Sequence, residues 1–301
     1  MATGLTELLD NFVKTHDNRQ LLALPLAVLA VSLVILLVSF VSSGSPVILG
    51  MEFQGCTQIS VETTDSPAVL EKMYSSYPII DARQTGSRVI MQFGVMDEEQ
   101  QHQLETDVMD RYSSVQIQQV GPVYGQDLQV QAIKALIISF IGMAIVVFLI
   151  FRTFIPSAAV ILSAFSDIMI AAAFMRVAGI ELSLGTLAAL LMLIGYSVDS
   201  DILLTNRVIK RRGTVEEKVS RAMHTGITMT TTTLAALAVM YLVSTFSYLV
   251  IPSFTQITLL SQISIVLIAG LFADMMNTWL LNTGILRWYV MKPEFRGRYN
   301  R

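Results

Sequence analysis

The chain has 301 residues, of which 53% are hydrophobic and only 14% charged, with a net charge of −3. That balance is too apolar for an ordinary water-soluble enzyme of this length and places the chain among membrane proteins. One cysteine, Cys56, excludes an internal disulfide and a Cys-based metal cluster.

Residues 1–20 are mixed in charge and read as a cytoplasmic N-terminus. A first apolar run covers 21–42. Its uncharged stretch is longer than the core of a typical signal peptide, so it is expected to stay as a signal-anchor despite the small residues "SSGS" that follow. Residues 43–128 form the only long polar segment, with twelve acids against four bases. Five further apolar runs follow at 129–151, 155–177, 183–206, 222–245 and 256–286. Each reaches the ~20 residues that cross a hydrocarbon layer of about 30 Å, so six transmembrane helices are expected. A basic loop (207–221) separates the fourth and fifth, and a tail (287–301) closes the chain. The stretch "NRVIKRRGTVEEKVSR" holds six basic residues and the tail from Arg287 holds five. By the bias of Lys and Arg toward the cytoplasm, both termini and this loop are inside, and the acidic segment is outside a plasma membrane.

Within 43–128, "TQISVE" alternates as a strand and "SPAVLEKMYSSY" starts a helix at Ser-Pro. "PIIDARQ" and "SRVIMQF" read as two strands about a "TG" turn, "DEEQQHQLETDVMDRY" as an amphipathic helix, and "SVQIQQV" as a last strand. The order β-α-β-β-α-β predicts a ferredoxin-like α+β domain. That fold supports many functions. The domain shows no metal constellation, no phosphate loop and no nucleophile-base pair. Its acidity argues against a nucleic-acid partner.

The chemistry-bearing residues lie in the spans. Asp167, Asp199, Asp201 and Asp274 are carboxylates where a charge costs at least ~2.5–3.5 kcal/mol, so each should face a bundle interior or a watery path. Counting helix rise from the cytoplasmic ends puts Asp199 about 12 Å deep, Asp167 about 18 Å and Asp274 about 19 Å. Asp201 is shallower, about 9 Å deep, and points about 200° around the helix from Asp199. Asp199 shares its side with Gly195 and Asn206; Asp201 shares its side with Ser197 and Thr205. The fifth span adds hydroxyls in "HTGITMTTTTL", among them Thr228, Thr231 and Thr232. The sixth adds a stripe of Gly270, Asp274 and Asn277. A mid-membrane carboxylate with no lysine or arginine at its depth can take up and release a proton. This points to Asp199, Asp167 and Asp274 as a proton relay, with Asp201, Ser200, Asn277 and the threonines as secondary or structural polar groups.

The segment "ELSLGTLAALLMLIGYSVDSDILLTNRV" (181–208) resembles the fourth-helix signature of the SecF family, in the archaeal form, within the resistance-nodulation-division superfamily. "GMEFQGCTQI" is similar to that family's G-x-D-F-x-G-G-T stretch, with Glu52 for Asp and Cys56 for the second Gly. "AFSDIMIA" is similar to its third-helix segment. Bacterial members read GYS-x-N-D-T, which sets their Asp on Ser200. "VDSD" is instead similar to the V-D-A-N of the sister family SecD, a register that puts the proton-carrying role on Asp199. The arginine that bacterial members place early in the fifth helix has no clear match here; Arg221 and His224 are the nearest residues. The resemblance implies an accessory subunit of Sec protein export, paired with SecD, assisting a SecYEG-type translocon and the emerging secretory polypeptide by use of the proton-motive force. It implies contact with membrane lipid, no cofactor, no metal and no enzymatic activity. Two alternatives remain: a passive scaffold for SecD and the channel, and, remotely, an intramembrane aspartyl protease.

Overall fold

The computed structural model describes residues 2–85, 87–250 and 258–292; residues 293–301 of the expected tail and 256–257 of the expected sixth span lie outside them. The chain opens with an amphipathic helix, α1 (Ala2–Thr15), followed by α2 (Asn18–Ser43). The break between them is set by Asp17. Its side chain caps the Asn18 amide, and Gln20 bonds back to the Asp17 backbone, the reciprocal arrangement that starts a helix cleanly. Gly44 ends α2 at φ 74°, a left-handed conformation that glycine adopts without a Cβ penalty.

A short helix, α3 (Met51–Gln54), leads into the polar domain: β1 (Thr57–Glu62), α4 (Pro67–Met73), β2 (Ile79–Thr85), β3 (Arg88–Phe93), α5 (Glu98–Arg111) and β4 (Val115–Gln119). The strands pair antiparallel in the order β2-β3-β1-β4, which is the order of a ferredoxin-like sheet. Period-2 alternation explains its two faces. Ile59, Val61, Val89, Met91 and Phe93 are buried against Leu70 of α4, Tyr74 just after it, and Leu104 and Val108 of α5. The opposite face carries Gln58, Ser60, Arg88, Ile90 and Gln116, which roof a cavity of about 630 Å³ floored by Glu181, Ser183 and Gln262.

The remaining helices are α6 (Pro122–Phe151), α7 (Phe154–Ala178), α8 (Leu184–Lys210), α9 (Val215–Val250), α10 (Thr258–Met276) and α11 (Thr283–Met291). A π-helical segment, Asn277–Asn282, joins the last two. With α2, these give, among the described residues, six helical stretches long and apolar enough to cross a membrane, the last running from Leu259 to Met291 through the π turn. Helix α6 begins seven residues before the expected start at 129, so residues 122–128 belong to it rather than to the domain. The basic stretch 207–221 is mostly helical. Helix α8 runs to Lys210 and α9 begins at Val215, leaving 211–214 as the connection.

Small residues let the helices approach. A Cβ on Gly270 of α10 would lie 2.5 Å from Leu193 of α8, and one on Gly226 of α9 would press into the Trp279 ring. The domain is tied to the α7–α8 connection by backbone bonds. The Gly50 amide donates to the Leu182 carbonyl at 2.8 Å, and the Leu182 amide donates to the Ile48 carbonyl at 2.6 Å. The Arg83 guanidinium on β2 adds an ion pair to Glu181 at 2.7 Å.

Candidate functional site: a buried carboxylate network

Helix α7 brings Asp167, α8 brings Asp201 and α10 brings Asp274 into the interior, where each is at most 1% exposed. The Asp167 carboxylate accepts from the Ser197 hydroxyl at 2.5 Å and from the Asn277 amide nitrogen at 2.7 Å. One Asp201 oxygen accepts from the Asn282 amide nitrogen at 2.8 Å and from the Thr278 hydroxyl at 2.9 Å. The same hydroxyl lies 3.1 Å from Asp274 Oδ1. It therefore stands between two carboxyl groups on different helices. A hydroxyl has one proton, so it can make a full donor bond to only one of them. Holding both at hydrogen-bond distance is best satisfied when one of the two carries a proton and donates it to Thr278.

The local structure explains why these side chains meet. Ser197, Asp201 and Thr205 follow one another at i+4 and are all fully buried on one face of α8, as helical spacing requires. Between Asn277 and Asn282 the π-helical turn is wider than an α turn, and it places these two asparagines, five residues apart, on the same carboxylate-lined side. Such turns recur at functional sites. Four oxygens here, Asp201 Oδ2, Thr205 Oγ1, Asn277 Oδ1 and Asn282 Oδ1, are buried and meet no hydrogen-bond partner among the described residues.

The sequence-derived set is only partly brought together. Asp167, Asp274 and Asn277 are in the network, and so is Asp201, expected only as a secondary or structural polar group. Asp199 is not: it is exposed on the outer face of α8, in line with Met192, Gly195, Tyr196 and Asn206. Rotation about α8 decides this. The 200° between the two aspartates means that only one can point inward, and it is the one sharing its side with Ser197 and Thr205. Ser200 is half-exposed and bonds the Tyr196 carbonyl. Thr228 and Thr232 are exposed and turn back on carbonyls of their own helix, those of His224 and Met229, while Thr231 is half-buried. Ser197, Thr278 and Asn282 were missing from the expected set. Ser197 was legible as the i−4 neighbour of Asp201, and Thr278 as the i+4 neighbour of Asp274. Asn282 needs the π turn, which leaves no clear mark in the sequence. Among the described residues no group of three or more His, Cys, Asp or Glu forms a metal-holding cluster.

Comparison with known proteins decides the family. Residues 100–292 match the model of the protein-export membrane protein SecD/SecF C-terminal region. The chain belongs to the SecD/SecF family. Its relatives include protein-export membrane protein SecF of Methanolacinia petrolearia, 49% identical over 93% of this chain and 96% of the relative. Those of Haloferax volcanii and Pyrococcus furiosus are 45% and 41% identical, each over more than nine-tenths of this chain and 93% of the relative. The fold is similar to that of SecDF, a translocon-associated membrane protein from Thermus thermophilus. The TM-score is 0.72 at 19% identity, over 93% of this chain and 38% of that one. The family is one of multi-pass membrane components of protein export and not of enzymes. This removes the aspartyl-protease alternative.

Proposed function

We propose that this protein is the SecF-type half of a SecD–SecF export accessory, coupling proton movement through its buried carboxylates to work by its extracytoplasmic domain on an emerging polypeptide at a SecYEG-type channel. The export role is supported by the names of relatives that match along nearly their whole length. The observation that carries the proton-coupled reading is Thr278, bridging Asp201 and Asp274 in a bundle interior. A hydroxyl in that position can receive a proton from one carboxylic acid and pass its own to the other. Of the buried oxygens beside it that meet no partner among the described residues, Asp201 Oδ2 is a carboxylate oxygen and can itself take up a proton.

Two features support a partner half. The chain spans 38% of the SecDF chain that it resembles. Asp199 lies on the exterior of the single chain within an apolar span, where contact with lipid would be costly; a second polypeptide facing α8 resolves that cost. In this reading Asp199 carries protons at the junction of the halves rather than inside this one. The polypeptide would be met at the cavity under the sheet, where Gln58, Gln116 and Gln118 offer amide donors and acceptors to any main chain.

The scaffold alternative has one supporting observation: Asp167 already has two donors and needs no proton to be satisfied. Gradient-driven export in vesicles holding the channel, the partner and either Asp201→Asn or Asp167→Asn separates the readings. Proton coupling predicts loss of the gradient-dependent component with Asp201→Asn. Wild-type gradient dependence in that variant, with the complex intact, would leave only the scaffold.

A further inference from the structure

The end of the bundle away from the folded domain carries a cavity of about 550 Å³, lined by Arg207, Lys210, Arg211, Arg212, Lys218 and Arg221, with Glu217 as the single acid. Six bases around one concavity exceed what membrane orientation asks for. That rule needs positive charge on a flank, in any arrangement, and does not explain convergence on one cavity. Nor does it explain a lysine only 2% exposed, as Lys218 is.

The geometry is that of a prepared site. Arg207 is fixed by two bonds, to the Arg221 carbonyl and, at 2.9 Å, to the Thr225 hydroxyl. Lys210, Arg211, Arg212 and Arg221 are exposed, and no ion pair of theirs with a carboxylate occurs among the described residues. The volume lies within the ~300–1,000 Å³ of small-ligand sites. Guanidinium groups favour phosphate because their paired N–H donors match two of its oxygens. The level in the membrane selects the source of that phosphate. Arg207 sits in the last turn of the apolar span Leu184–Lys210, and Arg221 lies two turns inside the span that starts at Val215. The cavity thus opens where helices pass from hydrocarbon to water, the layer occupied by lipid headgroups. Basic pockets between transmembrane helices are known to hold acidic headgroups.

We propose that this cavity binds the phosphate headgroup of an anionic phospholipid, at a site separate from the carboxylate network. The proposal is independent of proton coupling. The test is native mass spectrometry of the full-length protein, titrated with phosphatidylglycerol or phosphatidylcholine, with inorganic phosphate, glycerol 3-phosphate and a short RNA in parallel. The expected result is retained phosphatidylglycerol that phosphatidylcholine does not displace. Affinity falls roughly five-fold for each charge removed in Arg211→Gln and Arg212→Gln, and about 25-fold in the pair, as about 1 kcal/mol per surface base implies. Lys14→Gln, outside the cavity, leaves affinity unchanged. Equal retention of the two lipids, or a double variant that binds like wild type, overturns the assignment. Binding of inorganic phosphate or RNA in preference to phosphatidylglycerol overturns it too, and assigns the cavity to that ligand.

Discussion

Replacing Thr278 by valine removes the hydroxyl between Asp201 and Asp274 while keeping the shape of the side chain. The stability cost can be bounded from the structure. Two contacts meet one oxygen, at 2.9 and 3.1 Å, one donated by the hydroxyl and one accepted from a protonated carboxyl, so two bonds are counted. A bond to a charged group contributes about 1.5–3 kcal/mol in water-soluble proteins. Side-chain bonds between membrane helices average about 0.6 kcal/mol, with a maximum near 1.7. A loss of about 1–2 kcal/mol is therefore expected, small enough for most molecules to stay folded in a protein of ordinary stability. On the proton-coupled reading, passage through Thr278 has no substitute group at that position, so gradient-dependent export should fall at least about ten-fold, the effect of raising a barrier by 1.4 kcal/mol. Thr278→Ser keeps the hydroxyl and should restore export. The assay pairs thermal unfolding in detergent with export into vesicles that hold the partner and the channel, with and without a proton gradient. The reasoning fails if Thr278→Val exports at the wild-type gradient-dependent rate, or if its loss of export merely tracks the unfolded fraction.

Other outcomes follow from the packing and the surface. Gly226→Ala sets a Cβ against the rigid Trp279 ring and should cost about 1–3 kcal/mol, whereas Gly142→Ala on α6 meets nothing within 4 Å and should melt like wild type. Burial, reinforced by the Glu181 and Glu52 carboxylates, pushes the Cys56 thiol from its ordinary 9.0 up to about 11. Its thiolate fraction at pH 8 is then about 100-fold lower than that of an unperturbed thiol. Maleimide labelling of the folded protein should stay slow until pH approaches 11 and become fast on denaturation. Glu181→Ala removes the Arg83 ion pair, which is partly exposed, so it should lower stability by less than about 1 kcal/mol. It should still speed hydrogen exchange at the Gly50 and Leu182 amides. Asp199→Leu should leave melting of the isolated chain unchanged and weaken co-purification with SecD; unchanged co-purification would count against a partner facing α8.

Much of the architecture was readable because membranes and sheets impose simple periodicities. The strands at 57–62 and 88–93 announced themselves by alternation, and the spans by length. The helix ends were harder, because Lys210 and Val215 lie in a charged stretch that hydropathy reads as loop although the backbone there still bonds as helix. The buried network was legible in residue type but not in rotation. Depth along α8 favoured Asp199 over Asp201, but depth says nothing about which face is inside. The small hydroxyls at Ser197 and Thr205 held that information, since a buried acid needs donors one turn away. Asn282 was hidden for a different reason: a π turn changes the residue period locally, and a pattern counted at 3.6 stops finding partners beyond it.

The backbone clasp between residues 48–50 and Leu182 has a thermodynamic consequence. Leu182 lies between α7, which carries Asp167, and α8, which carries Asp201, so the domain is fastened to the connection of the two helices that hold the acids. Any displacement of that connection is shared by both ends. If protonation of the network shifts the domain, linkage requires a tension on the domain to shift the proton affinity of the network in return. On the proposed export role, a polypeptide that resists being drawn through the channel would act as a load that alters how readily protons enter, as a weight on a piston alters the pressure needed to move it.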